Sequence, residues 1–170
     1  MASRAVKRFA LDVNLVLDRA KGENFAIRLL KALQGQGYSF ILPPTAFVEL
    51  TLIAKTFEHP SKEIAITGLR SLKEWGIATC DLIPVGHGIT ELFARTLISR
   101  GLLPEEEFDD GLILAEASLM EVSGLLTSDT HLTGIDETTL KLVFEERDLP
   151  SVSVFHPRRL VQTLKKYRLG

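Results

Sequence analysis

The 170-residue sequence predicts an α/β protein of three layers, α/β/α, with a central, mainly parallel sheet of about five strands. Three observations carry this. Short apolar runs alternate with longer segments of helical periodicity, the rhythm of strand–helix–strand units. The short runs are mostly apolar throughout, as expected of strands covered on both faces of a parallel sheet. Glycines and prolines fall where the intervening helices must stop and start.

The first strand is KRFALD, residues 7 to 12, followed by a helix over 14 to 20 that ends near Gly22. A second helix, 23 to 35, runs to Gly35 and Gly37 and leads into YSFIL at 38 to 42. Helices over 44 to 57 and 61 to 75 follow, the latter between Pro60 and Gly76, and then the strand ATCDLI at 78 to 83. The next helix covers 87 to 100 and closes at Gly101, after which Pro104 introduces another over 105 to 123, with Gly124 as its stop. GLLTSD at 124 to 129, a helix over 136 to 148, SVSVF at 151 to 155 and a helix over 157 to 167 behind Pro157 complete the order. No repeat, low-complexity tract or long linker interrupts it, so a single domain over residues 1 to 170 is expected.

With 45% hydrophobic and 25% charged residues the chain can bury a proper core. The single cysteine, Cys80, cannot form an internal disulfide, and no stretch reads as a signal peptide or reaches the roughly 20 apolar residues of a membrane span. A cytoplasmic protein is expected. The net charge of -2 hides an asymmetry: Arg4, Lys7 and Arg8 precede Asp12, while Arg158, Arg159, Lys165, Lys166 and Arg168 follow Asp148 without another acid. Such clusters suit phosphate contact as well as a solvated helix face.

In an open parallel sheet, ligands collect beyond the carboxyl ends of the strands. Asp12 and Asp129 each end a predicted strand and so point to that edge. Glu49 interrupts the helical stripe Ala46, Glu49, Leu50 and Ile53, and Asp110 shares a stripe with Ile113, Leu114 and Ala117. Asp109, its neighbour, is rotated about 100° away, so the chain offers two acids for one position. Taken singly, each acid also fits a cap, a first-turn residue or a solvated head. Four converging on one edge would repel one another unless a cation intervened. Oxygen ligands without a histidine or cysteine cluster favour Mg²⁺ or Mn²⁺.

These segments, FALDVNLVLD, PPTAFVELTLIA, FDDGLILAEA and GLLTSDTHL, resemble the PIN-domain nucleases, which include the toxin ribonucleases of bacterial VapBC toxin–antitoxin pairs. The resemblance covers nearly the whole chain and implies a PIN-like fold. It places Asp12, Glu49, Asp110 and Asp129 on the family's acidic, catalytic metal-binding positions. Asn14 falls on the polar residue two after the first acid, and Thr127 on the hydroxyl residue two before the last. Val13 departs from the pattern, standing where a small hydroxyl residue is frequent, and the chain is longer than many compact toxin members.

The implied activity is an Mg²⁺- or Mn²⁺-dependent endoribonuclease, a hydrolase of RNA phosphodiester bonds in which one or two ions activate a water. Asn14 and Thr127 would orient ligands or the scissile phosphate, although Asn14 also reads as the cap of a helix starting at Leu15. Arg158, Arg159, Lys165 and Lys166 are candidate RNA contacts. A cognate antitoxin and a homodimer are the partners implied, with Leu52, Phe57 and Leu69 as apolar candidates for such contacts. Two rivals stand beside this reading: a PIN-like nucleic-acid or protein binding module without turnover, and a phosphatase of the haloacid dehalogenase type. The phosphatase usually needs an acid two residues after the first, where this chain has Asn14. His59, His87, His131 and His156 show no metal-ligand spacing; His131, two residues beyond Asp129, is the one placed to touch substrate. Cys80 reads as a packed thiol, and Asp18 as a solvated residue outside the acidic set.

Overall fold

The computed structural model describes residues 7 to 82 and 84 to 168, without the side chains at 84, 85 and 166 to 168. Its strands are β1 (Arg8–Leu11), β2 (Ser39–Leu42), β3 (Ile77–Thr79), β4 (Gly124–Leu126) and β5 (Val154–Phe155). They form one sheet in the order β3-β2-β1-β4-β5, and every neighbouring pair is parallel. Ala10 lies beside Ile41 on one side and Leu125 on the other. Ala10, Leu11, Leu42, Leu125 and Leu126 are all fully buried, which is why these runs are apolar at consecutive positions.

The helices are α1 (Val13–Lys21), α2 (Asn24–Gly35), α3 (Pro44–Lys55), α4 (Lys62–Ser71), α5 (Pro84–Ser99), α6 (Phe108–Leu119), α7 (Thr130–Thr133), α8 (Glu137–Glu146) and α9 (Pro157–Arg168). Helices α1 to α4 pack together on one face, where α1 lies on α4 and α9 returns against α2. The other face carries α5, α6 and α8; α5 packs along α6, and Phe93 of α5 stacks on Phe144 of α8 at 4.5 Å between centroids. Gly111 permits the α5–α6 contact, because a Cβ there would lie 2.8 Å from the Cβ of Ala94.

Several boundaries differ from the sequence reading for local reasons. The fourth strand stops at Leu126, since Asp129 caps the short α7, an element the apolar pattern does not announce. The helix expected over 105 to 123 is a 3-10 turn, Glu105–Glu107, followed by α6, and it ends where Glu121 takes a positive φ of 52° rather than at Gly124. The fifth helix starts at Pro84, before Gly86 and Gly88.

The connections decide where a site can form. From β1 the chain steps outward to β2 and β3, then returns across the other face to β4 on the far side of β1. The segments leaving β1 and β4 therefore diverge to opposite faces and leave a crevice at the carboxyl ends of these two strands.

Candidate metal centre

Asp12 and Thr127 immediately follow β1 and β4, at the mouth of that crevice. Asp12 is 3% exposed; its Oδ1 accepts the Val13 amide at 2.7 Å and its Oδ2 accepts the Thr127 hydroxyl at 2.6 Å. Loss of water raises the Asp12 pKa, those two bonds pull it down, and the charge of Asp129 raises it further. The same Thr127 Oγ1 accepts the Asp129 amide at 3.0 Å, so one buried hydroxyl links two acids from adjacent strands. Asp12, rather than Asn14, is the cap of the first helix, which starts at Val13; Asn14 is exposed in its first turn.

Asp129 caps α7, its Oδ1 accepting from the amides of His131 and Leu132 at 2.8 and 3.2 Å. Opposite it stand Glu107 and Asp110, and carboxylate oxygens of all three lie within 4.8 Å of one another. Asp110 Oδ2 is buried and has no hydrogen-bond partner among the described residues. Desolvation, a hydrogen bond with Glu107 and the charges of Asp129, Asp12 and Glu107 push the Asp110 pKa up to about 9. On α3, Glu49 is exposed as a residue, yet its carboxyl is pushed up to about 7, first by desolvation and then by Asp12, Asp109, Asp129 and Glu107.

The four acids singled out in the sequence thus occupy one electrostatic field. Asp110 and Asp129 belong to its tight trio; Asp12 and Glu49 flank it. Glu107 was missed, although its signal was present: it stands three residues before Asp110, and residues so spaced share a helical face. Asp109 lies outside that trio, although its charge acts on Glu49. It lines a cleft of about 330 Å³ with Glu49, Val48, Leu52, His87 and Glu116. Glu116, also missed, is 2% exposed and accepts from the Thr45 amide at 2.9 Å and hydroxyl at 2.6 Å, fastening α3 to α6.

Oxygen-only donors, an orphaned carboxylate oxygen and carboxyls pushed up by one another's charge fit a hard divalent cation. Of the four histidines among the described residues, His131 alone is seen against a member of the trio. His131 Nε2 lies 3.6 Å from Glu107, His87 Nε2 3.4 Å from Asp81, and the Nδ1 atoms of His59 and His156 accept backbone amides. Cys80 is half-buried with its sulfur 3.4 Å from that of Met120. Asp18 is half-buried rather than solvated, and desolvation raises its pKa. Arg158, Arg159 and Lys165 are exposed on α9, outside the acid cluster; Arg4 and the side chains of Lys166 and Arg168 lie outside the described residues. Leu52 and Phe57 are 59% and 85% exposed, whereas Leu69 packs against the core. Among the described residues no helix is long and apolar enough to cross a membrane.

No family model and no curated relative matches the sequence. Solved structures do. The fold is similar to that of a chain in the VapBC2 complex from Rickettsia felis, bound to a DNA fragment from its promoter, with a TM-score of 0.61 and 14% identity over 88% of this chain and 98% of that one. FitAcB from Neisseria gonorrhoeae gives 0.52 and 19%, over 88% and 97% of the two chains. FitAB bound to an IR36 DNA fragment gives 0.50 and 20%, over 88% and 94%. At such identities the likeness establishes the fold, the parallel three-layer architecture that the PIN-like motifs implied.

Proposed function

We propose that the protein is an Mg²⁺- or Mn²⁺-dependent endoribonuclease that hydrolyses RNA phosphodiester bonds. The observation that carries this reading is the buried, unpartnered Asp110 Oδ2 within the Glu107–Asp110–Asp129 trio, beside Asp12 and Glu49 at the strand-end crevice. Asp12, Glu49, Asp110 and Asp129, joined by Glu107, would hold one or two ions. The chemistry supplied by such ions, when bound, is charge neutralisation and activation of a water for direct hydrolysis.

The chain's own groups prepare that site. Thr127 and the Val13 amide fix the Asp12 carboxylate, and the α7 amides fix one oxygen of Asp129 while leaving the other free of them. Asp110 and Glu49, whose carboxyls the metal-free site pushes up, would bind a cation as carboxylates. Asn14, exposed one turn-step beyond Asp12, is placed to orient the scissile phosphate.

The test is cleavage of a mixed RNA pool with Mg²⁺ or Mn²⁺. Asp12→Ala and Asp110→Asn are expected to slow it at least about a hundredfold, ligand loss costing no less than loss of an outer-shell partner. Equal rates for the wild type and both folded variants would sink the assignment.

A cognate antitoxin belongs to the same reading. The R. felis neighbour is a VapBC complex, of the kind the motifs resemble, and here Val48 and Leu52 stand 55% and 59% exposed along the acidic cleft. Expression alone is expected to arrest growth, and co-expression of a small DNA-binding protein from a neighbouring gene to relieve it. A homodimer would draw on the same exposed apolar residues.

A further inference from the structure

Helices α2 and α9 pack side by side on one face of the sheet, and neither contains a single acidic residue. Between them lies a groove of about 430 Å³ whose floor includes Leu29, Ala32 and Leu164 and whose rim carries Arg28, Lys31 and Lys165. Arg158 and Arg159 continue this line of charge at the start of α9. All five cations are exposed, and among the described residues none has a carboxylate within ion-pair distance, whereas Arg100 elsewhere is paired with Glu146. The field of Arg158 reaches Asp18 of α1, whose carboxyl it helps to hold down against desolvation.

The groove is joined to the acidic centre by the topology. Helix α9 begins two residues after β5, at the carboxyl edge of the sheet, and β5 pairs with the β4 strand that leads to Thr127 and Asp129. The Arg158 guanidinium lies over the Phe25 ring, 4.1 Å from its centroid, which places the beginnings of α2 and α9 together at that edge. Both helices then run away from it, and Arg158 to Lys165 spans about 10 Å of helix at 1.5 Å per residue. A polyanion approaching a cluster of acids is repelled by it. Binding therefore needs cations elsewhere along the strand, and this ridge offers them next to the crevice.

We propose that the α2–α9 groove is an anchoring site for the phosphate backbone of single-stranded RNA, holding the strand so that a neighbouring phosphodiester reaches the acidic centre. This rests on the nuclease reading above. An acidic peptide would meet the same charges, but only a nucleic acid gives the continuity from basic ridge to acidic crevice a use.

Binding of a short labelled RNA of mixed sequence, followed by fluorescence anisotropy in EDTA across a salt series, tests it without cleavage. The variant Arg28→Gln/Lys31→Gln/Lys165→Gln changes only exposed residues, so its melting curve should match the wild type. Each phosphate contact on a single strand contributes about 0.7 to the slope of log affinity against log salt, so the slope should fall by about 2 and affinity at about 0.1 M salt by about a hundredfold. An unchanged slope overturns the proposal, as does tighter binding of a polyglutamate peptide than of RNA. The two readings separate cleanly: cleavage with an unchanged slope removes the groove alone, and a reduced slope without cleavage by the wild type removes the nuclease reading alone.

Discussion

A carboxyl group that loses water and gains three acidic neighbours holds its proton more tightly, and Asp110 does so up to about 9. In the unfolded chain it titrates near the ordinary 3.8. The folded, metal-free state therefore carries an extra proton between those values. Its contribution to stability is full below the unfolded pKa and is lost as pH rises through the folded one. Melting temperature without metal should fall from about pH 5 to pH 9, and Asp110→Asn should raise it by a few degrees, more at about pH 8 than at pH 5. Added Mg²⁺ or Mn²⁺ should raise the wild-type melting temperature most at the alkaline end; a flat pH profile in thermal scans would refute this. Thr127 poses the converse case, since Thr127→Val leaves Asp12 Oδ2 and the Asp129 amide without their partner. Denaturant titration is expected to give a loss of about 1–3 kcal/mol, with cleavage reduced as well, and Thr127→Ser should recover most of both.

At the level of elements, the distance between α5 and α6 governs where Asp110 sits. Gly111→Ala would drive a methyl to within 2.8 Å of Ala94 Cβ and 3.0 Å of its backbone. We expect a loss of about 1–3 kcal/mol by denaturant titration, together with weakened metal binding as the first turn of α6 shifts. A variant as stable as wild type would mean that the two helices part at little cost. The elements were legible in the sequence where burial is uniform: Phe40 to Leu42 and Leu125 to Leu126 have no solvent-facing position, so their apolar runs announce strands. They were illegible where a side chain decides. Asp129 starts α7 by accepting two amides, and Asp12 starts α1 one residue early in the same way, choices invisible to hydrophobic periodicity. Glu107 is hard to single out because it is one of three consecutive glutamates, in a 3-10 turn that the apolar pattern does not announce.

For the molecule as a whole, the order of the strands brings Asp12 and Asp129 together across 117 residues of sequence, and their partners Glu49 and Asp110 arrive on helices from opposite faces of the sheet. Composition does not place those faces; the alternation of elements implies only that helices cover both sides of a parallel sheet. What it left open was the partition of charge. A formal charge of -2 suggests a protein that a cation-exchange resin ignores. The acid-free surface of α2 and α9 implies otherwise: at low salt the protein should be retained on heparin or phosphocellulose as well as on an anion exchanger, each resin gripping a different side of one molecule. Passage straight through phosphocellulose would show that the ridge is too weak to act alone.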